Sequence, residues 1–298
     1  SALATAVVVL ALGAGLRLVA WTTPVGAPTR VALLQTNIAQ EMKWNRDHIA
    51  EWLRLNYEMV RSHPAQIVVL PETSLPLIDT RLPPGYMDAM QAAAGGNVIV
   101  GVFTRDSQDR IFNSAIARGV DGAQQYSKRH LVPFGEFSPP LFGWFYQLAS
   151  IPMSDQTRGA KDQPLLSLAG QRIAVNICYE DVFGEELLPA LPEATLMLNM
   201  SNLAWYGDSH AQPQHLQIAR MRALETGRPM LRATNTGMTG IVAPDGSVQA
   251  LLAPFTADAL VADVRGYQGM TPYARTANTP ILLISVLLLF GARWRRKM

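Results

Sequence analysis

The chain contains little cysteine and little charge. A single cysteine, Cys178, among 298 residues excludes an internal disulfide framework and leaves one candidate for any thiol chemistry. Only 16% of the residues are charged, the net charge is +2, and the basic residues form no stripe, so we expect no nucleic-acid partner. The histidines His130, His210 and His215 have no metal-ligand spacing, and we expect no metal site; we interpret His130 as structural and the other two as surface or helix positions.

Charge is also missing from the C-terminal end. No charged residue occurs from Thr276 to Ala292, and Ile281 to Phe290 is apolar apart from one serine. This length is near the lower limit for a spanning helix, so the sequence predicts a transmembrane helix over 276–294. Four basic residues follow, Arg293, Arg295, Arg296 and Lys297, and by the positive-inside rule they predict a cytoplasmic C-terminus.

The N-terminal end is equally free of charge from Ser1 to Leu16, with Arg17 and Trp21 as candidate interfacial anchors. We predict a transmembrane helix over 1–22. A cleaved signal peptide is the alternative, but the basic region that begins such a peptide is missing. Because the chain also lacks an initiator Met, we expect the helix over 1–22 to be the end of a truncated membrane region.

The intervening residues, 29–270, alternate β-rich runs with amphipathic helices. Helical spacing of apolar residues predicts helices over Asp47–Arg61 and Gln214–Thr226, and Gly227 stops the second. The predicted strands are Arg30–Gln35, Gln66–Leu70, Asn97–Phe103, Phe112–Ala117, Arg172–Ile177, Thr195–Asn199, Met230–Thr234, Thr239–Ala243 and Ala259–Val264. Several are apolar throughout, so both of their faces should be covered. An α/β fold with a two-sheet core and helices outside follows.

Three reactive side chains stand near the ends of predicted strands. Cys178 ends an apolar run, Glu72 follows another, and Lys128 comes before a turn. Each has a plain structural interpretation: a lone cysteine is often a small buried hydrophobe, Glu72 could cap a turn, and Lys128 could be exposed beside Arg129. Together they suit covalent catalysis.

A thiol attacks only as thiolate, and its free pKa of about 8.5 leaves it mostly protonated at neutral pH. Glu72 could accept the thiol proton and return it to a leaving group. Lys128, with the backbone N–H of Tyr179, could stabilise a developing oxyanion.

Three motifs, Pro71-Glu72, Lys128 to Glu136, and Asn176 to Glu180, resemble the Glu-Lys-Cys signature of the nitrilase, or carbon–nitrogen hydrolase, superfamily. With membrane segments at both ends, the chain is similar more narrowly to the bacterial apolipoprotein N-acyltransferase family. Supporting stretches are Leu34 to Ile38, Lys43-Trp44, Asn202 to Gly207, Ala223 to Pro229 and Thr234 to Gly237.

The resemblance implies an αββα sandwich of nitrilase type, flanked by transmembrane helices. By the same resemblance, the sandwich is expected to lie on the periplasmic side of the bacterial inner (cytoplasmic) membrane. The implied reaction moves the sn-1 acyl chain of a phospholipid, expected to be phosphatidylethanolamine, through a Cys178 thioester. The acceptor is the α-amino group of the S-diacylglyceryl-cysteine of an apolipoprotein. No metal or organic cofactor is implied, and we expect a monomer.

Further roles come from the same resemblance. Glu136 would position Lys128 or the incoming amine, and Tyr179 and Glu180 would line the same pocket. Trp44 would contact lipid, although an interfacial or core aromatic is as plausible. Asn202 begins a segment that is either a mobile loop over the pocket or a plain connection.

The segment Phe137 to Met153 is rich in aromatic and aliphatic residues after a Pro-Pro break. We predict a membrane-facing arm in which Trp144 and Phe145 help to admit the acyl chain; an ordinary buried helix and loop is the alternative. Two other functions remain open. One is a membrane-anchored amidase whose acyl-enzyme is resolved by water, and the other is a binding protein that kept the fold without the activity.

Overall fold

The structure is a computed structural model that describes residues 2–120, 122–137 and 156–295. The predicted arm with Trp144 and Phe145 therefore lies outside the described residues, except for Phe137.

The described strands form two sheets. In chain order the strands are β1 Thr22–Gln35, β2 Ile67–Val69, β3 Leu75–Ile78, β4 Asn97–Arg105, β5 Ile111–Gly119, β6 Gly122–Ser127, β7 Leu166–Leu168, β8 Gln171–Ile177, β9 Leu196–Ser201, β10 Met230–Thr234, β11 Gly240–Val242, β12 Val248–Leu251 and β13 Asp258–Gly269. The first sheet has the order β13-β1-β2-β4-β5-β6, with β3 beside β4, and the second has the order β12-β11-β10-β9-β8-β7. In the first sheet β1, β2 and β4 run parallel, and in the second β8, β9 and β10 do.

The described α-helices are α1 Ala2–Arg17, α2 Gln40–Lys43, α3 Ile49–Ser62, α4 Tyr86–Ala94, α5 Gly184–Leu187, α6 Ala211–Thr226, α7 Pro272–Thr276 and α8 Thr279–Arg295. Helices α3 and α4 cover the outer face of the first sheet, and α6 covers that of the second. Helix α3 buries Leu53 and Val60, and α6 buries Leu216, Ala219 and Ala223. The glycine predicted to end α6 does so in the left-handed conformation, with φ of +63°.

The alternation of side chains along each strand explains the layers. In β1, Val31 and Leu33 join the core between the two sheets, which also contains Ile173 and Val175 of β8. Neighbouring residues such as Leu34 face the other way, into a second core under α3 and α4. Because both faces of these strands are covered, they are apolar throughout. The predicted α/β fold with a two-sheet core is confirmed.

The two ends differ in detail from the prediction. Strand β1 begins at Thr22, inside the predicted membrane segment and well before Arg30, because Thr22 to Val25 pair with the end of β13 across a bulge. The terminal helices span 16 residues in α1 and 17 in α8. Within the described ranges, no helix combines the length and the apolar character needed to cross a membrane.

Candidate active site

Three chain segments converge at one edge of the sandwich. Glu72 follows β2 and Lys128 follows β6, both in the first sheet, whereas Cys178 follows β8 in the second sheet. The carboxyl ends of parallel strands are where clefts form in α/β sheets. The structure thus brings together residues that are far apart in the sequence.

Lys128 lies at the centre of this arrangement and is fully buried. Its Nζ donates a hydrogen bond to Glu136 Oε1 at 2.7 Å and lies 3.6 Å from Glu72 Oε1. Burial lowers the pKa of Lys128, but the charges of Glu72, Cys178 and Glu136 outweigh it, so the pKa rises above its ordinary value. Lys128 is therefore a permanent cation at this site.

Glu72 is held by both of its carboxylate oxygens. Oε1 accepts a hydrogen bond from Asn113 Nδ2 at 2.8 Å, and Oε2 accepts one from the backbone N–H of Asn202 at 2.7 Å. Asn202 also donates from Nδ2 to Gln40 Oε1 at 2.8 Å. The predicted supporting residue Asn202 thus contacts the carboxylate itself. Asn113 was not predicted, because in the sequence it looks like any other residue of strand β5.

Glu136 is anchored in a similar way. Its Oε1 accepts the hydrogen bond from Lys128, and its Oε2 accepts one from the backbone N–H of Val132 at 2.8 Å. The carboxylate can therefore fix the Lys128 ammonium, which is one of the two roles expected for it.

Cys178 is half-buried and begins a 3-10 turn, Cys178–Val182, in the left-handed conformation with φ of +53°. Strained backbone of this kind concentrates at functional sites. Its carbonyl accepts a hydrogen bond from Asn199 Nδ2 at 3.2 Å. Burial and then Glu72 raise the pKa of the thiol, while Lys128 acts to lower it. The resting thiol is protonated at neutral pH and needs a base in order to react.

Glu180 binds other parts of the chain through its carboxylate, and its place in the pocket lining stays a prediction. The carboxylate is buried and accepts hydrogen bonds from the Tyr126 hydroxyl and from three backbone N–H groups. Those donors are Ile177 at 2.7 Å, Arg129 at 2.6 Å and His130 at 3.0 Å. Glu180 therefore ties the end of β8 to the segment that follows Lys128.

Tyr179 packs edge-on against two rings, His130 at 5.7 Å and Phe183 at 5.1 Å between centroids. His130 itself stacks on Phe183 at 3.7 Å, and its Nδ1 lies 3.1 Å from Glu186 Oε1. These contacts fit the structural interpretation of His130.

Two tryptophans, Trp44 and Trp205, lie on segments next to the site. Trp44 is 42% exposed and lies 5.7 Å from the Phe103 ring, so it is neither a core residue nor fully free. Trp205, three residues after Asn202, is 71% exposed. Both segments connect to Glu72 through the hydrogen bonds of Asn202 and Gln40.

A buried cluster behind Cys178 was not predicted. Arg232 Nη1 lies 3.5 Å from Asp181 Oδ2, and Arg232 Nη2 lies 2.9 Å from Nδ1 of His215, which is on α6. His215 Nε2 is 3.4 Å from Asp181 Oδ1. Burial raises the pKa of Asp181 to about 7, although Arg232 opposes this shift. Nothing in the sequence marks these residues as neighbours.

No grouping of histidine, cysteine and carboxylate side chains in the described part of the chain could hold a metal ion. The chemistry available to the site is that of a thiol, two carboxylates and an ammonium group.

Comparison with known proteins places this geometry in a family. The family model for carbon–nitrogen hydrolases matches residues 30–272. The apolipoprotein N-acyltransferase of Ralstonia nicotianae is 49% identical over 300 residues, covering 98% of this chain and 57% of that protein. The protein of the same name from Chromobacterium violaceum is 47% identical, covering 97% of this chain and 58% of its own length. The chain thus spans a little over half the length of these relatives.

Solved structures show the same fold at lower sequence identity. A CN-hydrolase superfamily protein from Xanthomonas campestris has a TM-score of 0.62 at 17% identity, covering 80% of this chain and 91% of that one. An amidase from Nesterenkonia sp. has a TM-score of 0.60 at 18% identity, covering 87% and 97%. With both the sequence match and the shared architecture in hand, the chain belongs to the carbon–nitrogen hydrolase family.

Proposed function

We propose that this chain carries the catalytic domain of an N-acyltransferase that acts in lipoprotein biosynthesis. Relatives named apolipoprotein N-acyltransferase support this activity. The observation on which the mechanism depends is the contact of Lys128 with both Glu72 and Glu136, beside Cys178.

In the first step, Glu72 takes the proton of the Cys178 thiol, and the sulfur attacks the sn-1 ester carbonyl of a phospholipid, expected to be phosphatidylethanolamine. A C–S bond forms and the ester C–O bond breaks. Glu72 returns its proton to the departing alkoxide, which gives a lysophospholipid and a thioester on Cys178. The raised pKa of the thiol is the reason that a base is needed.

In the second step, the α-amino group of a diacylglyceryl-cysteine attacks the thioester carbonyl. An amide C–N bond forms, the C–S bond breaks, and Glu72 carries the amine proton to the leaving sulfur. Each step passes through an oxyanion, which Lys128 and the N–H of Tyr179 would stabilise. Glu136 would hold the ammonium group in place, and no metal or cofactor is required.

We further propose that the terminal helices lie in lipid and that the catalytic domain, 29–270, faces the periplasm. The side chains along α1 and α8 support this proposal, because apolar residues are exposed around the helices, as at Leu10 (72%) and Leu288 (68%). The basic residues after 292 favour a cytoplasmic C-terminus.

A membrane location also suits the two substrates. At about 0.8 kcal/mol for each CH₂ that leaves an apolar environment, extracting one long acyl chain into water costs roughly 10 kcal/mol. A site held at the interface avoids that cost. The segment that contains Trp144 and Phe145 remains a predicted arm for the acyl chain. Changing both residues to Ser should lower activity without lowering the melting temperature, whereas a collapse in stability would favour a buried helix.

The decisive experiment follows the acyl group. The chain, in detergent or vesicles, is exposed to phosphatidylethanolamine labelled in its sn-1 chain and its intact mass is measured. We expect an adduct of one acyl chain that is absent from Cys178→Ala. If the unmutated chain shows no adduct, the proposed donor or the nucleophile is wrong, and a binding protein becomes the better interpretation.

Adding a diacylglyceryl peptide then separates transfer from hydrolysis. A triacylated peptide supports the acyltransferase. Free labelled fatty acid without triacylated peptide supports a membrane-anchored amidase, the second candidate. The Nesterenkonia amidase shares the fold, and a shared fold is compatible with either reaction.

A further inference from the structure

Lys43 is almost completely buried, with 1% of its surface exposed, directly beneath the proposed base. Its Nζ donates hydrogen bonds to the backbone carbonyl of Glu72 at 3.2 Å and to Thr73 Oγ1 at 2.8 Å. Both of these partners are uncharged oxygens, a backbone carbonyl and a hydroxyl. A lysine is rarely buried in this way without a reason.

The residue after Glu72 is strained. Thr73 has φ of +46°, a conformation that β-branched residues avoid. Such a backbone persists only where its surroundings hold it. Lys43 contributes two of the hydrogen bonds that hold the Glu72–Thr73 turn, one to each residue.

Lys43 also acts on Glu72 through its charge. Burial lowers the pKa of Lys43 to about 7, and the opposing effect on that pKa comes from the charge of Glu72. The other titratable groups whose charges interact around Glu72 are Lys128, Cys178, Glu136 and Tyr206.

We infer that Lys43 is a positioning residue for Glu72, holding the strained turn that carries the carboxylate. The inference rests on the proposed function only in taking Glu72 as the base for Cys178. Lys43 is the last residue of the short helix α2, and the exposed Trp44 follows it directly.

The test uses a reaction that needs no natural substrate. Cys178 is the one cysteine of the chain, so its alkylation by iodoacetamide can be followed by intact mass without ambiguity. The full chain is compared with Lys43→Met, which keeps the length and removes the charge, and with Lys43→Arg, which keeps the charge. Lys161→Met, at an exposed position, is the matched control.

We expect folded Lys43→Met to be alkylated at least about 10-fold more slowly at neutral pH, because a displaced Glu72 no longer takes the thiol proton. At a pH high enough to ionise the thiol without a base, the two rates should be equal. Lys43→Arg, which can still donate to the turn, should keep the neutral-pH rate. A merely structural lysine would lower the melting temperature and leave the ratio of the two rates unchanged.

Two outcomes overturn the inference: an unchanged neutral-pH rate in folded Lys43→Met, or the same loss of rate in Lys43→Arg as in Lys43→Met. If Lys43→Met does not fold, Lys43→Gln decides in the same assay, because its amide is one atom shorter and cannot replace the ammonium group between Glu72 and Thr73. The proposed acyltransferase function fails separately, through the absence of an acyl adduct with phospholipid, and that result would leave the alkylation profiles as they are.

Discussion

Gly101 and Thr73 pack backbone against backbone: a Cβ on Gly101 would lie 2.5 Å from the amide nitrogen of Thr73. The same atom would lie 2.3 Å from the carbonyl oxygen of Pro71 and 2.7 Å from the Cα of Glu72. Real Cβ atoms do not approach backbone atoms so closely. A glycine in the middle of β4 is thus what allows the turn with the proposed base to lie on the sheet.

Gly101→Ala should therefore displace the Glu72 turn. We expect a loss of about 1–3 kcal/mol in the free energy of unfolding, as for an overpacked site, together with a loss of acyl-adduct formation in the protein that remains folded. Urea unfolding and the phospholipid adduct assay measure the two effects. Gly291→Ala is the control, because nothing lies within 4 Å of a Cβ at that position. Wild-type adduct formation in Gly101→Ala would contradict the proposed role of the turn.

Lys128→Met should harm both stability and chemistry. The substitution leaves Glu72 and Glu136 buried without their shared cation, and breaking a buried pair in this way costs about 3–5 kcal/mol. Loss of one oxyanion donor lowers rates by about 10²–10³-fold. Chemical unfolding and single-turnover acylation are the measurements.

A double variant separates these two effects. Lys128→Met with Glu136→Gln removes one of the stranded charges, so it should recover part of the stability and none of the acylation. Acylation at the wild-type rate in either variant would show that Lys128 is not the oxyanion residue.

Glu180→Gln should destabilise the fold around the site. A glutamine offers one oxygen where the carboxylate offers two, so at least one of the backbone N–H groups of Ile177, Arg129 and His130 loses its partner. Each unsatisfied buried donor costs about 1–3 kcal/mol. The exposed Glu193→Gln is the control in urea unfolding. Unchanged stability with a raised KM would instead indicate that Glu180 lines the substrate pocket.

Asp181 should make stability depend on pH. Burial raises its pKa to about 7 in the folded chain, against about 3.9 when unfolded. Between these values the folded state binds more protons than the unfolded state, so the free energy of unfolding should fall as pH rises from about 4 to about 7, and level off above.

Asp181→Asn cannot titrate there, although it leaves Arg232 without its carboxylate. We therefore expect the stability of the unmutated chain, relative to Asp181→Asn, to decrease across that pH window. Thermal or urea unfolding at several pH values measures the difference. A constant difference from pH 4 to 8 would show that Asp181 keeps an ordinary pKa in the fold.

The sequence identifies strands that are covered on both faces better than strands that are short or exposed. Strands β2, β4 and β8 are apolar on both faces and were predicted close to their observed bounds. Strands β6 and β12 were not predicted, since their side chains are largely polar or exposed and they pair at or beside a sheet edge. Edge strands bury too little to show a clear pattern.

The site shows the same division. Glu72 and Cys178 follow apolar runs, so their positions at strand ends were predictable from local sequence. Burial of a charge is not, because it depends on which distant segments cover it: Lys43 looks like a surface residue of a short helix, and Asp181 like part of a polar turn. The hydrogen bonds of Glu180 were not predicted for this reason, since three of its four donors lie at 126–130, far from Glu180 in the sequence.

The division of the reactive groups between the two sheets has a consequence for biogenesis. Proton acceptor and ammonium belong to the first sheet and the sulfur to the second, so neither half-assembled layer contains a working set. A nascent chain would contain the thiol without its neighbouring carboxylate and ammonium group. We therefore expect acyl transfer, which needs all three groups, to begin only when the two layers have packed together.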